Sequence, residues 1–301
     1  MEKLKSLIQI NRKKEINLLF AILCIYTIFI ITNDYICFCF QANSSLLTYA
    51  ISAFLVGTLT FFITRKVKIK PEQFNKYDLL FFAMILGIYA IKFAIPDKAF
   101  DTLNYHLYVQ ENAFSDNVMY NFFPARWINT FSFPLGDRMH YFFRFFLGYR
   151  LGNIFNVFIL VVVYYQVKRI LNMFIDTKRD MLIPVLALLA ITTEFILQNY
   201  ITYYIDLIAI PFILEILYII LNKEYDFFHN LLTLLCAGII VALKVSNALL
   251  LIPMAIIYLI GARKTIRLST VLVGIIIALF PIIVYLLNNY IQTRKSCISF
   301  L

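Results

Sequence analysis

The sequence predicts an all-α polytopic membrane protein of about nine transmembrane helices, with one long outer loop carrying interfacial helices. Three observations predict it. The chain is 62% hydrophobic and only 15% charged, with 30 Phe and 20 Tyr, and its mean hydropathy is +0.81. Long apolar runs recur over the whole length. Those runs are continuous rather than alternating, which suits helices and not closed strands.

The runs fall at roughly 16–32, 46–64, 77–95, 151–168, 181–198, 201–221, 228–243, 246–260 and 267–288. Several lie near the ~17-residue lower limit for a spanning helix. The first has a basic flank before it and no small-residue cleavage site after it, so it reads as a retained signal anchor. There is no internal repeat and no low-complexity linker, so residues 1–301 read as a single transmembrane domain.

The net charge of +10 has a positional explanation. Lys3, Lys5, Arg12, Lys13 and Lys14 precede the first run, and Arg65, Lys66, Lys68, Lys70 and Lys76 follow the second. Lys168, Arg169, Lys178 and Arg179 follow the fourth, Lys223 the sixth, and Arg263, Lys264 and Arg267 the eighth. These alternate loops hold two thirds of the 27 Lys and Arg residues, whereas the short loops near 33–45 and 199–200 hold none. The bias predicts a cytoplasmic N-terminus and outward-facing odd-numbered loops. Nucleic-acid binding is not needed to explain the charge. The 5 Cys form no metal pattern: Cys37 and Cys39 are too close for a zinc pair, and Cys24, Cys236 and Cys297 are isolated.

Residues 96–150 form the long outer loop. Tyr120, Phe122, Phe123, Trp127, Phe131 and Phe133 suit a membrane–water interface. A helix is expected from Thr102 to about Phe114, and a second from near Arg138 into the fourth span. Within the stretch DTLNYHLY, Asp101 suits a helix N-cap and equally a reactive carboxylate; a cap holds one oxygen and leaves the other free. His106 and His140 lack metal-pair spacing and a nearby acid motif, so aromatic packing is their expected role.

Charges within apolar spans are costly, roughly 2.5–3.5 kcal/mol each at a helix centre, and mark function or pairing. Lys92, Glu194, Asp206 and Lys244 all fall toward the side of the long loop. They read as two structural ion pairs between helices or as the lining of a site. Carboxylates with a lysine at an outer-leaflet cavity suit glycosyl transfer: a carboxylate deprotonates an acceptor hydroxyl while cations neutralise a leaving phosphate. A lipid-phosphate-linked sugar arrives through the membrane. No nucleotide cofactor is then required, and the chain has no GxGxxG or GxxxxGKS stretch.

The order of these features resembles the GT-C superfamily of glycosyltransferases that use polyprenyl-phosphate sugars, in its bacterial branch acting on lipopolysaccharide and other surface glycans. Asp101 followed by Tyr105-His106-Leu107 resembles the family's first outer loop, although Tyr108 stands where Pro is usual. Tyr204-Ile205-Asp206 resembles its later Tyr-x-Asp, and Lys244-Val245-Ser246 its Lys at an outer turn. The resemblance covers most of residues 75–290. It implies Asp101 as catalytic base or ligand of a divalent metal ion. It implies Lys244 facing the lipid phosphate with Arg126 or Arg138, and Tyr105, His106, Glu194 and Asp206 around the substrates. The implied setting is a bacterial inner membrane, with a glycan or lipid as acceptor. The ending after Gln292-Thr293 lacks the Thr-Gly-Asn-Pro stretch of many relatives and reads as a truncated member. A transporter or flippase of the same pathway, or an inactive fragment, are the alternative readings.

Overall fold

A computed structural model describes residues 15–95, 99–112, 133–175, 181–263 and 266–298. Strand β1 (Glu15–Asn17) leads into α1 (Leu18–Phe40), which closes on Gln41 in the left-handed conformation, φ 48°. Ser45 starts α2 (Leu46–Thr64) with a reciprocal cap: its side chain accepts from Thr48 N, and the Thr48 side chain accepts from the Ser45 backbone. Strand β2 (Lys68–Lys70) returns to pair in parallel with β1, placing Glu15 opposite Lys68. Helix α3 (Asp78–Ala94) precedes a five-residue π turn (Thr102–His106) that runs into α4 (Leu107–Asn112). After Pro134 come α5 (Leu135–Leu151), kinked where Gly148 takes φ 76°, and α6 (Ile154–Leu171). Then follow α7 (Leu182–Ile191), α8 (Glu194–Tyr200), α9 (Asp206–Asn222), α10 (Phe227–Leu243), a 3-10 turn (Val245–Asn247), α11 (Ala248–Ala262) and α12 (Leu268–Ile298).

The fold is that of an all-α, multi-pass membrane protein, the short β1–β2 ladder aside. The expected nine spans are not found. Among the described residues, 5 helices are long and apolar enough to cross a membrane, or 6 if the bent pair α7–α8 is one span. Helices α3, α9 and α10 occupy expected spans but have 17 residues each, at the short limit for crossing, and α9 also carries Asp206 and Glu215. The fifth expected span breaks at Thr192-Thr193, where α7 and α8 meet at 70°. Thr193 is extended, ψ 147°, and ends the helical run.

The core lies where α1, α6, α9, α10 and α12 meet, around Leu23, Phe155, Ile159, Phe212, Ile240 and Val284. Helices α10 and α12 pack tightly at Gly238, where an added Cβ would run into the Ala278 backbone. The outer helices leave large apolar faces uncovered: Leu249, Ile252, Ile256 and Ile260 on α11 and Leu272 and Ile276 on α12 are all exposed. Faces of this extent suit lipid rather than water.

Ion pairs tie the ends of the bundle. At the end holding the start of α1, which we call basal, Lys168 Nζ lies 2.6 Å from Asp78 Oδ2, and Tyr164 donates to Asp78 Oδ1 at 2.7 Å. Arg169 pairs with Glu215, which also accepts from Gln166. Lys168 and Arg169 therefore lie in the last turn of α6 with partners, where the sequence suggested loop charges. At the opposite end, the buried Arg138 binds Asp34 of α1 (Nε to Oδ1 3.0 Å), the Gln110 carbonyl (2.7 Å) and the Ser44 hydroxyl. Tyr285 of α12 donates to the other Asp34 oxygen at 2.7 Å. The first helix thus runs past the expected end at residue 32 with a buried carboxylate inside it.

Candidate functional site

The end opposite the basal one gathers polar groups from four chain segments. Asp101 is already helical, φ −66° and ψ −38°, and its side chain makes no capping bond; it is not the expected N-cap. The π turn that follows presents Tyr105 and His106, with ring centroids 4.2 Å apart. Single π turns recur at functional sites because they shift side chains off the regular helical register. His106 is buried, and its Nδ1 lies 2.8 Å from Asp137 Oδ1, also buried. With Nδ1 committed to the carboxylate, Nε2 is the nitrogen left for other chemistry.

Asp137 stands in the first turn of α5, where the helix N-terminus favours a negative charge. Its position depends on Gly136. A Cβ there would fall 2.6 Å from Ile205 Cγ2, so only a glycine lets the α5 start abut the segment entering α9. The residues on either side of Ile205 belong to the site. The Tyr204 ring lies 6.0 Å from His106, and Asp206 Oδ1 lies 2.9 Å from Lys244 Nζ. Asp206 opens α9 and Lys244 follows α10, so packing of these two helices brings the pair together. Both remain accessible, with side-chain exposures of 47% for Lys244 and 30% for Asp206.

The charges act on a common centre. Burial pushes the Tyr105 phenol well above its usual range, reinforced by Asp101, Asp137 and Asp206 together. For His106, burial works against the charged form, but the Asp137 charge and hydrogen bond outweigh it, with Asp101 and Asp206 adding to the rise. The imidazole pKa is raised, and His106 takes up a proton more readily than a free histidine. His140 is the reverse case. Burial, with the His106 charge adding, lowers its pKa to about 3, and it sits edge-on to Phe155 and Tyr203 at 5.3 Å each. His140 is a neutral packing residue.

The structure therefore brings Asp101, Tyr105, His106, Asp206 and Lys244 into one neighbourhood, and leaves the other expected residues elsewhere. Arg138 turns its donors to Asp34, Gln110 and Ser44 in the buried interior, so it braces α5 against α1 rather than presenting itself to a phosphate. Glu194 starts α8 as an exposed residue with no hydrogen bond or ion pair to this cluster among the described residues. Of the structural ion pairs that Glu194 and Asp206 could each form with Lys92 or Lys244, the Asp206–Lys244 pair is present, and none of Glu194 with either lysine is found among the described residues. Arg126 lies outside the described residues, as do Trp127 and Phe114. Sequence reasoning missed Asp137 and the close packing that Gly136 allows. The run Gly136-Asp137-Arg138 just after Pro134 was the available signal, an acid in the first turn of a helix started by proline.

Among the described residues no group of three His, Cys, Asp or Glu side chains converges as metal ligands need. Comparison of the chain with protein-family models, with curated proteins and with solved structures returned no match in any of the three.

Proposed function

We propose that this protein is an inverting glycosyltransferase that takes a sugar from a polyprenyl-phosphate donor and passes it to a surface glycan or lipid. The setting is a bacterial inner membrane, with the N-terminus in the cytoplasm and the site on the outer face. The observation that carries the reading is the convergence of Asp101, the His106–Asp137 dyad and the Asp206–Lys244 pair at one end of a membrane bundle. The Asp101 and Tyr105-His106-Leu107 resemblance to the GT-C superfamily supports it.

In this reaction Asp101 accepts the proton of the acceptor hydroxyl. The freed oxygen attacks the anomeric carbon from the face opposite the phosphate. The bond from that carbon to the phosphate oxygen breaks, and its electron pair stays on the phosphate. Lys244 and the protonated His106 offset the negative charge that develops there. Asp137 positions His106 by holding Nδ1, and Asp206 holds the Lys244 ammonium in place. No step requires a metal or a nucleotide.

Incorporation of radiolabelled sugar from membrane polyprenyl-phosphate donors, in vesicles carrying the wild-type chain or Asp101→Asn, tests the reading. A general base contributes roughly 10²–10⁴-fold, so transfer by the variant falls by that factor. Equal transfer by both chains removes Asp101 from the chemistry.

One observation favours a second reading as a transporter or flippase. The 70° break between α7 and α8, with Glu194 opening the second half, is a discontinuous helix of the kind that binds substrate in transporters.

A further inference from the structure

The basal end holds a cavity that the proposed chemistry does not use. About 500 Å³ of space lies between α1, α2, α10 and α12, bounded below by β2, with Cys24, Ile28, Val56, Leu235 and Ile277 among its walls. Its volume is in the range of ligand pockets, roughly 300–1,000 Å³. Among the described residues, Thr60, Thr64 and Lys66 are the only hydrophilic side chains lining it, and Thr64 Oγ1 turns back to the Phe61 carbonyl.

The shape is elongated along the helices. The lining on α2 from Val56 to Thr64 spans about 12 Å at the helical rise. One leaflet of hydrocarbon is roughly 15 Å deep. A groove of that length and apolarity suits a hydrocarbon chain lying parallel to α2 better than a compact solute.

Its lining includes one cation, Lys66. Lys68 and Lys70 are engaged by Glu15, and Arg65 lies over the Phe61 ring at 4.2 Å. Lys66, between them, is exposed and has no carboxylate partner among the described residues. An apolar slot of leaflet depth with an exposed ammonium at its rim complements an amphiphile whose head is negative.

We propose that this groove binds a membrane phospholipid with an anionic headgroup, one acyl chain lying between α1, α2 and α10 and the phosphate against Lys66. This assignment stands independently of glycosyl transfer at the other end of the bundle.

The test is native mass spectrometry of the purified full chain, titrated with phosphatidylglycerol or phosphatidylcholine of matched acyl chains. One lysine at an anionic surface is worth a factor of roughly five, so the wild type retains phosphatidylglycerol in about that excess. Lys66→Gln brings the two lipids to parity and Lys66→Arg restores the preference. Lys66 is exposed, so neither change threatens folding. Thr60→Trp fills the groove and abolishes retention of both lipids there. Equal retention of the two lipids by the wild type overturns the proposal. So does a preference that survives Lys66→Gln. Retention unchanged by Thr60→Trp also overturns it, and points to a second copy or the chain's own N-terminal segment as the occupant of the groove.

Discussion

Asp34 and Arg138 stand 104 positions apart and meet in a buried ion pair, Oδ1 to Nε 3.0 Å, with side-chain exposures of 0% and 1%. The pair locks the far end of α1 to the start of α5, one residue from Asp137. Removing one partner leaves a buried charge with nothing opposite it, which costs about 3–5 kcal/mol. Asp34→Leu and Arg138→Met are each expected to lose that amount in thermal unfolding of the detergent-solubilised protein. The double variant loses less than the sum of the two, because no unpaired charge remains. Additive losses would mean that the two side chains do not depend on each other.

The His106–Asp137 contact makes stability depend on pH. The folded pKa of His106 is raised above its usual value because the Asp137 charge and hydrogen bond outweigh burial. Protonated His106 therefore stabilises the fold. That contribution is complete below the unfolded value of about 6.5 and fades as pH rises through the higher folded value. His106→Gln should thus cost more stability near about pH 6 than near about pH 9. The comparison of variant with wild type at each pH cancels the His229 pairs with Asp226 and Glu224, which both chains share. A deficit independent of pH would mean that folding leaves the pKa of His106 unchanged.

Gly136 sets the distance between the two halves of the site. A Cβ at this position meets Ile205 Cγ2 at 2.6 Å, and neither the start of α5 nor the entry to α9 can yield without moving Asp137 or Asp206. Gly136→Ala is expected to cost about 1–3 kcal/mol by overpacking. It should also lower transfer more than Gly57→Ala, since the Gly57 site on α2 is open. Rates of the two variants at matched membrane insertion check this. Equal rates would separate the α5 start from the reacting groups.

Much of the helix layout was legible in the sequence. The expected run 46–64 coincides with Leu46–Thr64, and 228–243 differs from Phe227–Leu243 by one residue. Both are bounded by polar residues that the local pattern reveals. The ends that misled reading depend on distant partners. The run stopping at residue 32 treats Asn33-Asp34 as a terminus, because an isolated carboxylate is costly in an apolar helix. Arg138 and Tyr285 remove that cost, and neither is visible from the local sequence around Asp34.

Within the candidate site, Asp101, Asp206 and Lys244 stood out in the sequence as ionisable groups near span ends, and Tyr105 and His106 through the resemblance that their stretch carries. Asp137 did not, since its role comes from a bond to a histidine 31 positions earlier. Arg138 was misassigned for a related reason. A cation beside the outer loop looks available to a phosphate until the fold turns it inward. The β1–β2 ladder and the 70° break at Thr192-Thr193 were likewise invisible to hydropathy, which measures apolarity and not backbone direction.

The central claim is that the sugar changes its covalent partner at this site. The most direct measurement follows a sugar-labelled polyprenyl-phosphate donor in sealed vesicles carrying the wild-type chain or Asp101→Asn. The account predicts label bonded to the acceptor in the wild type, with free polyprenyl phosphate released, and a loss of roughly 10²–10⁴-fold in the variant. Label that crosses the membrane still joined to polyprenyl phosphate, equally in both chains, would contradict it and establish the protein as a transporter.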